Sequence, residues 1–380
     1  MPKKVLIVTK DVMEFKLYHS VAEMLKKQSV DIIVVAEGLS MDMWIKAGWE
    51  IYQGLPKEGN FDLNTKIRSD IDVSDTIIRC RPDVVLTGLG APIHLGEEFG
   101  FGANRLSTTL GFVEDLWFSH RRSSAFPNFI CTPDGYGRQA IEAWPRYTGQ
   151  MPRVFVTGSS AMDTLQDVKP FVPLANIIEK ERACGREFTR VILVGGQSEP
   201  TTPMLQGLKE ASLIAASHGE RWLIIPRFHP KWMADATKAA FKSEWERIVF
   251  EMEEYHRVLW VPLSVDTRTL VPLATEVVSI FSNLLIEAVG LGTLAVSWTS
   301  EVGRQKMAES FGGASKFPLA ELGACLEVSS AQEFLNLPHP RYYGSEEETT
   351  PFFTEKAKRI LGLDGKATQR VVDAVLEYLD

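Results

Sequence analysis

Cysteine is scarce: Cys80, Cys131, Cys184 and Cys325 are the four in 380 residues, and none is spaced as CxxC. That excludes a disulfide framework or a zinc knot as an organising device and fits a reducing cytoplasm. Positive charge is also in deficit. A formal charge of -8 argues against a nucleic-acid or anionic-membrane surface as the main partner and for a small one. Long hydrophobic runs are missing as well. The opening MPKKVLIVTKD has an apolar stretch of only four or five residues before Lys10 and Asp11, too short for a signal h-region. No later run approaches membrane-span length, which still leaves room for loose membrane association. The chain also lacks a repeat of short fixed period and a low-complexity tract. What remains is a globular composition, 45% hydrophobic and 24% charged, in a chain longer than one core usually supports. Two domains are therefore expected.

The apolar segments alternate in type. Val5–Thr9 reads as a buried strand, Glu14–Gln28 as a helix through Phe15, Leu17, Val21, Met24 and Leu25, and Asp31–Ala36 as a second strand. A helix is expected near Asn64–Cys80, followed by strands at Asp83–Thr87, Leu110–Glu114, Asn128–Thr132 and Arg153–Thr157. A second series offers strands at Arg190–Val194, Arg221–Pro226, Arg257–Val261, Glu276–Phe281 and Thr293–Ser297. Helices near Pro203–Ser217, Lys231–Lys242, Asn283–Leu291 and Glu301–Phe311 supply its crossovers, and two amphipathic helices follow at Pro351–Leu361 and Ala367–Leu379. Such alternation predicts parallel sheets covered by helices on both faces. The expected division is 1–165 for the first domain, 166–188 for a linker, 189–350 for the second domain, and 351–380 for helices of which the final one packs back on the first domain. Pro170, Pro173 and the charged stretch EKERACGRE mark the linker. Ligands of open α/β sheets gather at strand C-terminal ends, so candidate residues are sought there.

Three strand ends in the second series offer phosphate or ribose chemistry. In VILVGGQSEPTTP, Gly195 and Gly196 let backbone approach a ligand, with Gln197 and Ser198 as further donors, although the segment is neither a Walker A sequence nor GxGxxG. In LIIPRFHPKW, Arg227, His229 and Lys231 crowd cationic groups just after a buried run. In TEVVSIFSNLLIEAVGLGTLAVSW, Ser282-Asn283 caps a helix whose N-terminal N–H groups and dipole stabilise an anion. Glu287, four residues after Asn283, lies one turn along the same face, within reach of a ribose diol. The first series is less specific. TTLGFVEDLWFSHRR puts Glu114 and Asp115 at a strand end ahead of Trp117, His120, Arg121 and Arg122, while Asp11, Glu14 and His19 are rival acid–base candidates. Helix capping or ion pairing accounts for loop carboxylates equally well, and Trp117, Trp232 and Trp298 serve either packing or stacking on a sugar or base.

GGQS, RFHP and SNLLIEAVGLGTLAVSW together resemble the nucleotide-binding half of the GT-B superfamily, which holds glycosyltransferases and the non-hydrolysing UDP-N-acetylglucosamine 2-epimerases. VFVTGSSAMDTL is similar to the segment closing the first domain of the epimerase branch, so the resemblance covers about residues 80–300. It implies an α/β fold of two Rossmann-like, doubly wound parallel-sheet domains facing a central cleft. By the same resemblance His229 contacts donor phosphates, Ser282 and Asn283 the diphosphate, and Glu287 the ribose hydroxyls. The match to the epimerase HVEAGLR motif is limited to Val113-Glu114, the counterpart of HGDT falls in LTGLGAP, which has no carboxylate, and no PEExNR-like sequence follows.

The resemblance therefore implies a glycosyltransferase that takes its sugar from a nucleotide-sugar, a UDP-sugar, and passes it to a glycan, lipid-linked or small-molecule acceptor. Glu114, Asp115 or His120 would take the acceptor proton, and His229 would act on the donor. No cofactor is required beyond the donor itself, and no metal need be invoked where these donors replace a divalent ion. The alternatives are a nucleotide-sugar 2-epimerase or hydrolase, and a binding protein that has lost catalysis.

Overall fold

The computed structural model describes residues 2–53, 72–88, 95–114, 117–196, 199–228, 236–311, 313–314, 316–337, 358–359 and 361–379. The chain divides into two units, Met1–Asp163 with Ile360–Asp380, and Thr164–Arg359.

The first unit is built on six parallel strands: β1 (Lys4–Thr9), β2 (Asp31–Ala36), β3 (Val84–Thr87), β4 (Thr109–Val113), β5 (Phe129–Thr132) and β6 (Arg153–Val156), in the order β2-β1-β3-β4-β5-β6. Alternation along β1 divides its side chains between two layers. Val5 and Ile7 join the cluster with Leu17, Val21 and Leu25, whereas Leu6 and Val8 join Phe99, Ala103 and Ile77. The Val12–Lys27 helix starts where it does because Asp11 accepts the N–H groups of Met13 and Glu14 while the Glu14 side chain accepts from the Asp11 N–H. Such a capping box is worth about 1 kcal/mol.

The Ala367–Leu376 helix completes this same core. Val371, Val372 and Val375 are fully buried beside Leu17 and Val21, each contributing roughly 1.5–3 kcal/mol. Asp163 caps the helix through the N–H groups of Ala367 and Thr368, and Arg370 donates to the Thr157 carbonyl and to Asp364.

The second unit carries β7 (Arg190–Gly196), β8 (Trp222–Phe228), β9 (Arg257–Val258), β10 (Glu276–Ser279), β11 (Leu294–Trp298) and β12 (Leu326–Val328), all parallel, in the order β12-β11-β10-β7-β8-β9. Two doubly wound α/β sheets are thus present. β12 was not anticipated, and two strands stop short of their sequence limits for identifiable reasons. β9 ends at Val258 because the chain beyond it turns its Val261 and Pro262 carbonyls to Arg227. β10 ends at Ser279, and the Ile280 carbonyl takes the Ser297 hydroxyl instead.

The stretch 166–188, expected as a linker, contains the helix Val172–Ala183. Pro173 sits at its start, where a missing N–H is harmless, Leu174 is buried, and Glu181 gathers Arg186, Arg221 and Arg257. The helix expected at Lys231–Lys242 is found instead at Ala239–Glu253, with 231–235 outside the described residues. Of the helix expected at Asn64–Cys80, Val73–Cys80 is described, and most of Pro351–Leu361 lies outside.

Candidate functional site

A ligand crevice in a doubly wound sheet opens where neighbouring strands send their connections in opposite directions. In the second unit that point lies between β7 and β10, because the chain runs outward through β8 and β9 before returning to β10. Gly195 pairs with Ser279 there, and the Ser279 hydroxyl donates to the Gly195 carbonyl at 2.7 Å. The two glycines have a packing role. A Cβ on Gly195 would stand 2.9 Å from the Leu284 side chain, and one on Gly196 would stand 2.6 Å from Thr201 and 2.7 Å from Phe228. Their bareness seats two helix starts directly against the strand end.

The Asn283–Gly290 helix begins at this point. Ser282 is its N-cap, with extended backbone and a hydroxyl that accepts the Leu284 N–H at 3.2 Å. The first turn of a helix presents N–H groups without intrahelical partners, and a single cap satisfies only part of them. Asn283 is half-buried, and its Oδ1 is buried without a hydrogen-bond partner among the described residues. Glu287, one turn on, is 6% exposed. The Glu301–Ser310 helix starts nearby, capped by Ser300 through the Gly303 N–H, and a Cβ on Gly303 would meet Ile280 at 3.4 Å and Pro200 at 3.8 Å. Pro200 caps the Thr201–Ser217 helix, so three helix N-termini collect at the ends of β7, β10 and β11.

Arg227 departs from expectation. Its guanidinium is 8% exposed and spends all five N–H donors on the neighbouring loop: Nη1 on the Val261 and Pro262 carbonyls, Nη2 on the Val265 carbonyl and Thr267 Oγ1, and Nε on Thr267 Oγ1. Burial pushes this guanidinium below its ordinary value, with Asp266 opposing. It is a loop clamp with no donor left for a phosphate. Gln197, Ser198, His229, Lys231 and Trp232 lie outside the described residues.

Sequence reading missed what the clamp holds. Asp266 accepts from the Arg268 backbone N–H and from its guanidinium, with a shortest contact of 2.7 Å. An Asp followed two residues later by Arg, between Pro262 and Pro272, was the available signal for a capped turn. Burial lowers Arg268, but hydrogen bonds and charge from Asp266, joined by the charge of Glu287, more than offset it and raise the guanidinium.

In the first unit the polar groups close on one another. Glu114 is 1% exposed; Oε1 faces His120 Nδ1 at 2.6 Å and the His120 N–H at 3.3 Å, and Oε2 accepts the Thr132 hydroxyl at 2.6 Å. Because an ionised carboxylate only accepts, His120 donates from Nδ1. Its Nε2 is buried with no hydrogen-bond partner among the described residues. Asp134 caps the Gly135–Glu142 helix and accepts the Trp117 indole N–H at 2.8 Å. Burial raises the Asp134 carboxyl; hydrogen bonds from Gly137 and Trp117 oppose this, and the charge of Glu114 adds to it.

Phe118 holds φ 65°, a left-handed backbone that bulky residues avoid, and so turns the chain to bring His120 onto Glu114 and Arg121 between the Phe118 and Trp144 rings. Asp11 and Glu14 are engaged in the capping box, and the His19 ring lies 5.0 Å from Phe15 and 5.7 Å from Trp44. Trp298 is packed over Gly207 and against Phe334. Asp115, His94 and the side chain of Arg122 lie outside the described residues.

Among the described residues, no three His, Cys, Asp or Glu side chains gather as a metal site requires, and no helix is long and apolar enough to cross a membrane.

No protein-family model matches this chain, and no curated protein is similar to it in sequence. Solved structures are similar in fold. The UDP-GlcNAc 2-epimerase of Neisseria meningitidis, solved with UDP-GlcNAc bound, aligns at a TM-score of 0.60 and 16% identity over 98% of this chain and 100% of that one. A glycosyltransferase of Rickettsia africae ESF-5 aligns at 0.64 and 11% identity, over 100% and 99%. MurG of Acinetobacter baumannii aligns at 0.56 and 16%, over 99% and 100%.

The chain has the GT-B fold. Within this GT-B framework the second sheet places Gly195, Gly196, Ser282, Asn283 and Glu287 at one switch point. Arg227 is spent on a loop, and Glu114 and His120 form a closed pair in the first unit.

Proposed function

We propose that this chain is a glycosyltransferase that binds a nucleotide-sugar, a UDP-sugar, at the β7–β10 switch point and passes the sugar to an acceptor. One observation carries the reading: the Ser282-Asn283 helix start, with Glu287 buried one turn along, stands at the end of β10 beside Gly195. The epimerase solved with UDP-GlcNAc supports a UDP-sugar as the ligand class.

Negative charge grows on the diphosphate as the bond to the sugar breaks, and oriented N–H groups at a helix N-terminus stabilise it without rearranging. In this reading the helix start takes the diphosphate together with His229 and Lys231, and Glu287 accepts from the ribose hydroxyls. Gly195 and Gly196 would let the backbone approach the donor, and Gln197 and Ser198 are proposed as further hydrogen-bond donors to it. The acceptor hydroxyl attacks the sugar carbon and gives up its proton. Of the acid–base candidates Glu114, Asp115 and His120, Glu114 has both oxygens engaged. We therefore assign proton uptake to His120 Nε2, with Glu114 holding Nδ1–H, an arrangement that fixes the ring tautomer. Entry of the acceptor has to uncover that buried nitrogen. These groups suffice without a metal.

Epimerisation is the second reading, favoured by the fold likeness to UDP-GlcNAc 2-epimerases. Elimination and re-addition need acids and bases around the sugar, and Leu86–Pro92 supplies no carboxylate. Incubating the protein with UDP-GlcNAc, with and without an acceptor panel, separates the readings. Acceptor-dependent UDP release supports transfer. Epimer formation without acceptor overturns it, and binding without turnover leaves a nucleotide-sugar-binding protein.

A further inference from the structure

The Glu114–His120 pair has a third member. Thr132, fully buried on β5, donates its hydroxyl to Glu114 Oε2 at 2.6 Å, while the other carboxylate oxygen faces His120 Nδ1 at 2.6 Å. Main-chain bonds fix the approach of the two side chains. The Glu114 N–H donates to the Cys131 carbonyl, and the Thr157 N–H donates to that of Thr132.

The helix that follows β5 admits this contact because residue 137 is glycine. A Cβ there would run into the Thr132 hydroxyl and stand 3.5 Å from Glu114 Oε2. Glu114 thus lies against the start of the Gly135–Glu142 helix, where negative charge is stabilised. Asp134, the cap of that helix, is occupied separately by the Gly137 N–H and the Trp117 indole, both at 2.8 Å.

Which ring nitrogen of His120 is bare depends on this array. While Glu114 is a carboxylate, Oε1 only accepts, so the ring keeps its proton on Nδ1 and leaves Nε2 bare. If the array takes up one proton from solvent, Glu114 becomes an acid whose O–H donates to Nδ1, the ring proton sits on Nε2, and the ring has no acceptor left. Each hydrogen bond given to a buried carboxylate opposes that uptake. We propose that Thr132 is a positioning residue for His120: by donating to Glu114 it keeps that side chain a carboxylate and Nε2 bare for the acceptor proton. Gly137 makes the contact possible. This rests on the transfer reading proposed above, and Thr132 itself touches no reacting atom.

The test reads the ring nitrogens of His120 by NMR in isotopically labelled, full-length protein at neutral pH, the signals being assigned by their loss in H120Q. Wild type should carry the proton on Nδ1. In T132V, which removes the hydroxyl and keeps the shape, the balance should move toward a protonated Nε2 by on the order of tenfold or more, the scale of losing a hydrogen bond to a charged group. T132S, which retains the hydroxyl, should match wild type. G137A should act as T132V does, by displacing the hydroxyl, and serves if T132V does not fold. A merely structural role would leave the T132V ring in its wild-type form and would overturn the proposal, as would T132S behaving like T132V. Wild type with its proton on Nε2 overturns this inference and the choice of His120 as base, leaving the donor site standing. Calorimetry of UDP on the same samples tests the other half. Equal UDP binding by wild type and T132V supports an effect confined to the ring, whereas wild type that binds no UDP overturns the transfer reading and with it the purpose of the array.

Discussion

The two units use one architecture and treat their strand ends in opposite ways. At the ends of β1, β4 and β5 the first unit ties its carboxylates inward: Glu14 to the N–H groups of Lys10 and Asp11, Glu114 to His120 and Thr132, and Asp134 to Trp117 and Gly137. At the ends of β7, β10 and β11 the second unit brings helix starts together and caps them sparingly. The first arrangement has spent its carboxylates on its own fold and leaves His120 Nε2 as the exception, whereas the second leaves first-turn N–H groups without intrahelical partners. Charge at a strand end is therefore a poor guide to binding until its hydrogen bonds are counted. Arg227 makes the point within the second unit, being a cation at a strand end whose donors all go to a loop.

The comparison can be broken most forcefully at Glu114. E114A leaves the buried His120 without its partner, and amide exchange in β4 and β5 should accelerate by the equivalent of about 3 kcal/mol while β7 and β10 keep their protection. Unchanged protection in β4 would mean that the pair contributes nothing to the fold and that the contrast is false.

On the other side, H229A should lower turnover on the order of a hundredfold with the circular dichroism spectrum intact, the scale expected for losing one group that stabilises the leaving diphosphate. Equal turnover removes His229 from the chemistry. A smaller effect is expected from S282A, which should lower the protection of the Asn283–Gly290 helix by about 1 kcal/mol and weaken UDP. Loss of protection with nucleotide affinity unaltered would show the cap to be purely structural.

The smallest effect concerns pH. Hydrogen bonds from Arg370 hold Asp364 at about 2, below its ordinary 3.8. A depressed acid contributes stability above its unfolded value and loses it as the pH falls through the folded one. The Ala367–Leu376 helix should therefore loosen between roughly pH 4 and 2, and D364N should flatten that part of its exchange profile. An identical acid profile in D364N would exclude this contact.

Much of the fold was legible because buried parallel strands write themselves as short apolar runs. Asp31–Ala36 was read to the residue, and Lys4–Thr9 and Glu276–Ser279 to within two at each end. The helices Gly38–Lys46, Leu95–Arg105 and Gly135–Glu142 were missed, since glycine inside or at the start of each blurs the helical period. Of the candidate site, the Ser282 cap was legible because a cap acts within a few residues. The Arg227 clamp was not, because its partners lie 34 to 40 positions away and are mostly main-chain carbonyls, which no residue type advertises.

The Ala367–Leu376 helix has a consequence in time. Its valines fill the core of a unit whose six strands lie before residue 164, and the whole of Thr164–Arg359 intervenes. At the usual pace of synthesis the ribosome takes roughly ten to forty seconds over that interval. Throughout it the first unit waits with the layer beside Leu17 and Val21 uncovered. The second unit, contiguous in sequence, can finish first, so the portion of the chain made earlier is the one completed later, and it is during that wait that the nascent protein has most need of a chaperone.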